Sequence, residues 1–283
     1  MQMAVTSTRH LPSDAAQIAT VARYDIFKHL RSRRLIAIFV IEAAILALMI
    51  SLPAILGQPY PEDPAEFVQS VVAFLFTNIL IILAATMFAG DSICSEFQNR
   101  TGYLVFPNPI KKSSIYLGKF LSTALIVLLV VSIWYWAAII AGAIITGDVS
   151  ILAIQSYGLA VLYAFAASSI GFLISSILKG STGALVLTFF LLFMIFPLVD
   201  SVGTLGGIEP VPSITYQAGA IDAVMTTPYP ENWVEYANES IGLPFNIYFF
   251  YPSVTSSVVV MIGYIAVCNV AGMILFKRRE MVG

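Results

Sequence analysis

The sequence predicts an all-α integral membrane protein with six transmembrane helices and both termini cytoplasmic. Three observations carry that fold class. Hydrophobic residues make up 59% of the 283 and charged residues only 11%, with a mean hydropathy of +0.89. A soluble domain carries about a quarter charged residues, so this composition cannot cover a water-facing surface, and a free cytosolic enzyme or a disordered chain is excluded. Six stretches reach the roughly 20 apolar residues that a spanning helix needs. With those stretches crossed in turn, all 14 Lys and Arg fall on one side, the distribution expected of the cytoplasmic face. Porin-like alternation is absent, and lipid-exposed backbone must satisfy its own hydrogen bonds, so the spans are helices.

Residues 1–34 form a cytoplasmic leader containing Arg9, Arg23, Lys28, Arg31, Arg33 and Arg34. Asp14 is placed to cap a helix running to about Leu30. Ile18, Ala22, Ile26 and Leu30 make an apolar stripe opposite Thr20, Lys28 and Arg31, interrupted by Asp25 and His29. The stripe reads as an amphipathic helix lying at the interface, with a solvated basic leader as the alternative. No cleaved signal peptide is expected, because the first apolar run begins only near Leu35 and lacks a small-residue cleavage pattern.

Residues 35–199 hold the first five spans, at 35–56, 67–90, 117–146, 151–178 and 182–199. The first contains Glu42, the second is closed by Asp91, and Gly147-Asp148 joins the third to the fourth. Segment 91–116 is the first cytoplasmic loop. Segment 200–252, rich in Pro, Gly, Tyr and acids, is too long for a plain connection. It reads as an extracytoplasmic cap or a re-entrant element, with 241–251, punctuated by Pro244 and Pro252, as a short re-entrant or interfacial helix. Asn238 opens a glycosylation sequon, Asn238-Glu239-Ser240, on the outer side. The sixth span is 253–276, and a basic tail follows at 277–283.

Catalytic chemistry is hard to build from these residues. The only histidines are His10 and His29, and the only cysteines Cys94 and Cys268, so neither a metal site nor a disulfide framework is expected. Glu42 is the one acid well inside a span, about 10 Å deep. It is a translocation-path candidate; the alternative is a protonated group or one paired with Arg34 or Lys119. Asn78 and Asn269 are further path candidates, read foremost as interhelical hydrogen-bonding groups. Ala167, Gly171 and Ser175 put small side chains on one face of the fourth span, for close packing inside the subunit or across a dimer. Trp134, Tyr135 and Trp136 lie mid-span, where aromatics pack cores.

The loop after the second span reads Asp91-Ser-Ile-Cys-Ser-Glu96-Phe-Gln-Asn-Arg100-Thr101-Gly102, then Pro107-Asn-Pro109-Ile110-Lys111-Lys112, and Gly118-Lys119 enters the third span. A short helix from about Ser92 to Arg100, stopped at Gly102, is expected. This loop resembles the first cytoplasmic loop of ABC-2-type transporter permeases. In that family an acidic residue, a Thr-Gly pair, a Pro followed by a basic turn and a Gly-Lys recur in the same order. Six spans, a leader helix, a long outer segment and a basic tail extend the resemblance over nearly the whole chain, and the doubled Pro107-Asn-Pro109 departs from it.

The resemblance implies an ABC-2, type V exporter-like, architecture in the plasma membrane. It implies a coupling helix that docks on a separate ABC ATPase, with Ile93, Glu96, Phe97, Arg100, Thr101 and Gly102 as the coupling residues. It also implies two ATPase copies and a second copy of the permease, with the export path between the permeases. The chain itself lacks a GxxxxGK[ST] phosphate loop, so no cofactor is expected on it, and ATP and Mg belong to the partner. An ion-coupled secondary transporter is the first alternative, though neither an internal repeat nor several midplane charges is evident. A non-transporting subunit that transmits mechanical work to an extracytoplasmic partner through 200–252 is the second. Membrane lipids are expected neighbours. Nucleic acid is not an expected partner, because topology already accounts for the basic residues.

Overall fold

The computed structural model describes residues 13–98, 110–235 and 246–278. Arg100, Thr101, Gly102 and Asn238 lie outside the described residues. Six helices are long and apolar enough to cross a membrane, as the composition requires. All Lys and Arg among the described residues sit at one end of the bundle or in its leader, here called the basic face; the opposite end is the acidic face.

The leader helix α1 spans Asp14–Leu30. Its cap is Ser13, whose Oγ accepts from the Ala16 N–H, and not Asp14. Asp14 sits in the first turn and pairs with Lys111 at 2.7 Å. The buried face of α1 also differs from the expected stripe. Gln17, Ala22, Asp25 and His29 are buried, whereas Tyr24, Phe27 and Leu30 are exposed. The helix packs along the third span, with Asp25 turned inward to a buried lysine described below and His29 to Asp25.

The first span α2, Arg33–Leu56, is capped by Ser32 and stops at Gly57, whose φ of +66° is the left-handed conformation a helix C-terminus favours. The second span is not one helix. Asp63 caps a nine-residue helix α3, Pro64–Val72, and the chain then breaks at Ala73 before α4, Phe74–Ala89. Thr77 secures the break, donating to the Val72 carbonyl and accepting from Trp134 Nε1 at 2.9 Å. Trp134 and Tyr135 are fully buried, while Trp136 is 45% exposed; only the first two serve the core.

The coupling-loop helix is α5, Cys94–Gln98, and the third span α6 is Lys112–Thr146, five residues longer at its start than hydropathy alone indicates. The fourth span α7, Ile151–Ile177, follows a Ser150 cap. The fifth span runs through α8, Ser181–Phe190, a π-helical turn at Leu191–Ile195, and α9, Phe196–Leu205. Pro197 sits directly after the π turn, where its missing N–H disturbs the regular ladder. This span reaches beyond Val199, so Asp200 belongs to a helix and not to the outer loop.

The outer segment builds a cap. Two short helices, α10 at Ile214–Ala218 and α11 at Ala220–Ala223, pack on the fourth and sixth spans. Gln217, fully buried, accepts from the Ser257 hydroxyl of α12, Val254–Arg278. A two-stranded antiparallel hairpin pairs β1, Trp233–Glu235, with β2, Ile247–Phe249. The re-entrant helix expected at 241–251 is therefore not formed at its C-terminal end. Ile247, Tyr248 and Phe249 are strand formers, and Phe249 stacks on Trp233 with ring centroids 4.1 Å apart.

The core lies between α4, α6 and α7. Phe67, Ile81, Trp134 and Tyr163 fill it, whereas α2, the fifth span and α12 leave most of their surface bare. Gly171 places α7 against α4: a Cβ there would meet the Ala89 Cβ at 2.9 Å and the Gly90 nitrogen at 3.2 Å. The small-residue face of the fourth span is thus used inside the subunit. Overpacking at such a contact costs about 1–3 kcal/mol. Gly171→Val is expected to lower the melting temperature in detergent, whereas Gly158→Ala, with nothing within 4 Å, leaves it unchanged or slightly raised.

Candidate coupling site at the basic face

The site is built around α5, whose five residues are too few to hold a helix alone. Neighbouring elements hold it instead. Ser175 of α7 accepts from the backbone N–H of both Ile93 and Cys94, at 2.9 and 3.1 Å. A hydroxyl from another helix thereby supplies the N-terminal cap that α5 lacks in its own sequence. At the other end, Gln98 accepts from the Ser181 N–H, where the fifth span begins, at 2.6 Å.

Apolar packing fixes the inner face of α5. Ile93 is 1% exposed and joins Tyr116, Phe172 and Phe276 in a second small core. Phe97 meets Phe276 edge to face, with centroids 6.3 Å apart. Both side chains bind the α5 segment to its own bundle. The reason is steric: these two side chains, four residues apart, share one face, and the sixth span occupies it.

Electrostatics fix the rest. Lys119 of α6 is buried and donates to Glu96 at 2.8 Å and to Asp25 of the leader helix at 3.3 Å. Lys28 lies 3.7 Å from Glu96 and 3.9 Å from Asp25, and His29 Nε2 lies 3.2 Å from the other Asp25 oxygen. Burial by itself would raise the Asp25 carboxyl. The His29 contact and the charges of Lys119, His29 and Lys28 outweigh it and hold the group well below the usual carboxylate range. The leader helix reaches this position because residue 118 is glycine: a Cβ there would meet Val21 Cβ at 2.7 Å and the Ile18 carbonyl at 2.9 Å. Arg34 bonds Asp91 at 2.7 Å and the Met87 carbonyl at 3.0 Å, tying the first span to the second beside the cluster.

This arrangement settles where the basic partners suggested for Glu42 are engaged. Arg34 is taken by Asp91, and Lys119 by Asp25 and Glu96. Glu42 is 1% exposed, and neither carboxyl oxygen has a hydrogen-bond partner among the described residues. Asn78 accepts from the Tyr163 hydroxyl at 2.8 Å, and Asn269 donates to Ser169 and to the Ile265 carbonyl, each at 2.8 Å. These asparagines therefore make hydrogen bonds between helices. Ala167 is buried in the main core. Sequence reasoning did not mark Asp25, Lys28 and His29 as site residues; the two inward-facing polar residues on an otherwise apolar stripe were the available signal.

A short loop helix is thus anchored to five other elements at the basic face. The sequence matches the model of the ABC-2 family transporter protein over residues 19–281. The chain belongs to the ABC-2 transporter family. It is accordingly a multi-pass membrane protein and a permease of an ABC-type transporter, a transport component whose family associates with an ABC ATPase, which sets aside the secondary-transporter reading. No curated protein matches the chain.

Within this ABC-2 permease the ion cluster makes a quantitative demand. Removing one member of a buried pair costs about 3–5 kcal/mol, because the remaining charge stays buried and unpaired. Lys119→Met is expected to destabilise by that amount in denaturant titrations of the reconstituted protein. The triple variant Lys119→Met, Asp25→Asn, Glu96→Gln is expected to recover much of the loss. The sign with pH follows from Asp25: a carboxyl held low stabilises fully above its unfolded value of about 3.9. That contribution fades as the pH falls below this value, and thermal melts between pH 3 and 7 in the wild type and Asp25→Asn check it.

Proposed function

We propose that this permease works as a pair of identical subunits in the cytoplasmic membrane, with both termini cytoplasmic. Two ABC ATPases holding ATP and Mg dock below it, and the assembly moves substrate outward. The observation that supports this reading most directly is the anchoring of α5. Its ends are bonded to α7 and to the start of the fifth span, its carboxylate to α6 and the leader helix, and its apolar face to the sixth span.

A force applied to such a helix reaches the spans as a rigid-body displacement, because interfaces this well packed switch between arrangements and do not bend gradually. Nucleotide binding would bring the ATPases together, and the two coupling loops would carry that displacement into the bundles. The partner-facing surface is then the exposed side of α5, at Gln98, together with the loop that follows it. The inward side, Ile93, Glu96 and Phe97, transmits the motion. The bare faces of α2 and the fifth span suit a second subunit or lipid.

Gln98 is exposed and both native cysteines are buried, so Gln98→Cys offers a single reactive thiol on α5. Treated with a short bifunctional reagent in native membranes, this variant is expected to form a one-to-one adduct with a subunit carrying a phosphate-loop sequence. The yield is expected to change on adding ATP. A chain that purifies alone, with no ATPase adduct, would overturn the reading.

A further inference from the structure

The acidic face carries a cavity of about 520 Å³ between the end of the fifth span, the cap helices and the segment after β2. Asp200, Asp222, Asn78 and Thr215 supply its polar lining, and Tyr216, Phe250 and Tyr251 its aromatic wall. Asp200 accepts from the Thr215 hydroxyl through one oxygen, and its other oxygen has no hydrogen-bond partner among the described residues. Asp222 is approached by Gln69 from α3, which also donates to its backbone carbonyl.

These carboxylates differ from those of the basic face in one decisive respect. Asp25, Glu96 and Asp91 each meet a Lys or Arg, whereas residues 180–276 contain no Lys, Arg or His at all, and neither do residues 35–99. No basic side chain stands at this end, so a cationic ligand entering the cavity meets these carboxylates without a competing internal countercharge. A bare metal ion does not suit the place: among the described residues no three His, Cys, Asp or Glu come together, and hard cations take six or more oxygen ligands. The volume is that of a site for a drug-sized molecule, for which about 300–1,000 Å³ is usual. Aromatic walls beside carboxylates favour a cation with an apolar body, which gains from ring quadrupoles as well as from the charge.

We infer that this cavity binds an organic cation of the amine or onium class, its charge met by Asp200 and Asp222 and its body by Tyr216, Phe250 and Tyr251. The inference rests on the cavity and not on the direction or occurrence of transport, so it is tested without the ATPase. The protein in lipid nanodiscs is titrated with tetraphenylphosphonium, and separately with tetraphenylborate, an anion of the same shape, with empty discs subtracted. Saturable binding of the cation alone is expected. Asp200→Asn together with Asp222→Asn is expected to weaken it by about tenfold or more with the melting temperature retained. Absence of saturable cation binding, equal saturable binding of the anion, or unchanged affinity in the folded double variant would each overturn the assignment. If the double variant does not fold, the comparison of the two ions on the unsubstituted protein decides alone.

Discussion

A lysine ammonium taken out of water has to be met by negative charge, and the basic face of this protein is arranged around that requirement. Lys119 is buried at the entrance of the third span, and two carboxylates from different parts of the chain come to it. Asp25 brings the leader helix and Glu96 brings α5. Each would be costly to leave unpaired, so the three elements hold one another in position. Gly118, one residue before, is what lets the leader approach closely enough for the bond to form.

The same requirement explains how five residues can make a defined helix. Helix nucleation is unfavourable, and a segment as short as Cys94–Gln98 lacks the length to offset it. Ser175, Lys119, Phe276 and Ser181 supply the missing cap, countercharge, packing surface and terminal donor from four different spans. A helix held in this way cannot move without its neighbours. Under the proposed function, that rigidity is what would carry a docking event at the basic face into the bundle.

The two ends of the molecule solve the charge problem differently. At the basic face acids and bases are interleaved and neutralise one another. At the acidic face there is no base, so Asp200 and Asp222 stand beside aromatic rings without a basic partner. Charge placement thus leaves one end of the bundle internally neutralised and the other acidic.

Six spans, their order and the clustering of basic residues were legible in the sequence, because apolar length and charge placement are local properties that lipid and water enforce residue by residue. The family was legible as well, through the resemblance carried by Glu96 and Gly118-Lys119. The break at Ala73 and the hairpin in place of a helix at Ile247–Phe249 were not, since each depends on a partner elsewhere in the chain: Trp134 bonds at the break, and Trp233 stacks in the hairpin. Asp25 and His29 looked like flaws in an amphipathic stripe, and Ser175 like a spacer between helices. Only the tertiary structure decided that Asp25 meets a buried lysine, that His29 meets Asp25, and that Ser175 caps a helix from a distant part of the chain. Hydropathy records how a side chain fares against solvent, whereas a buried polar group is defined by the particular atom that meets it.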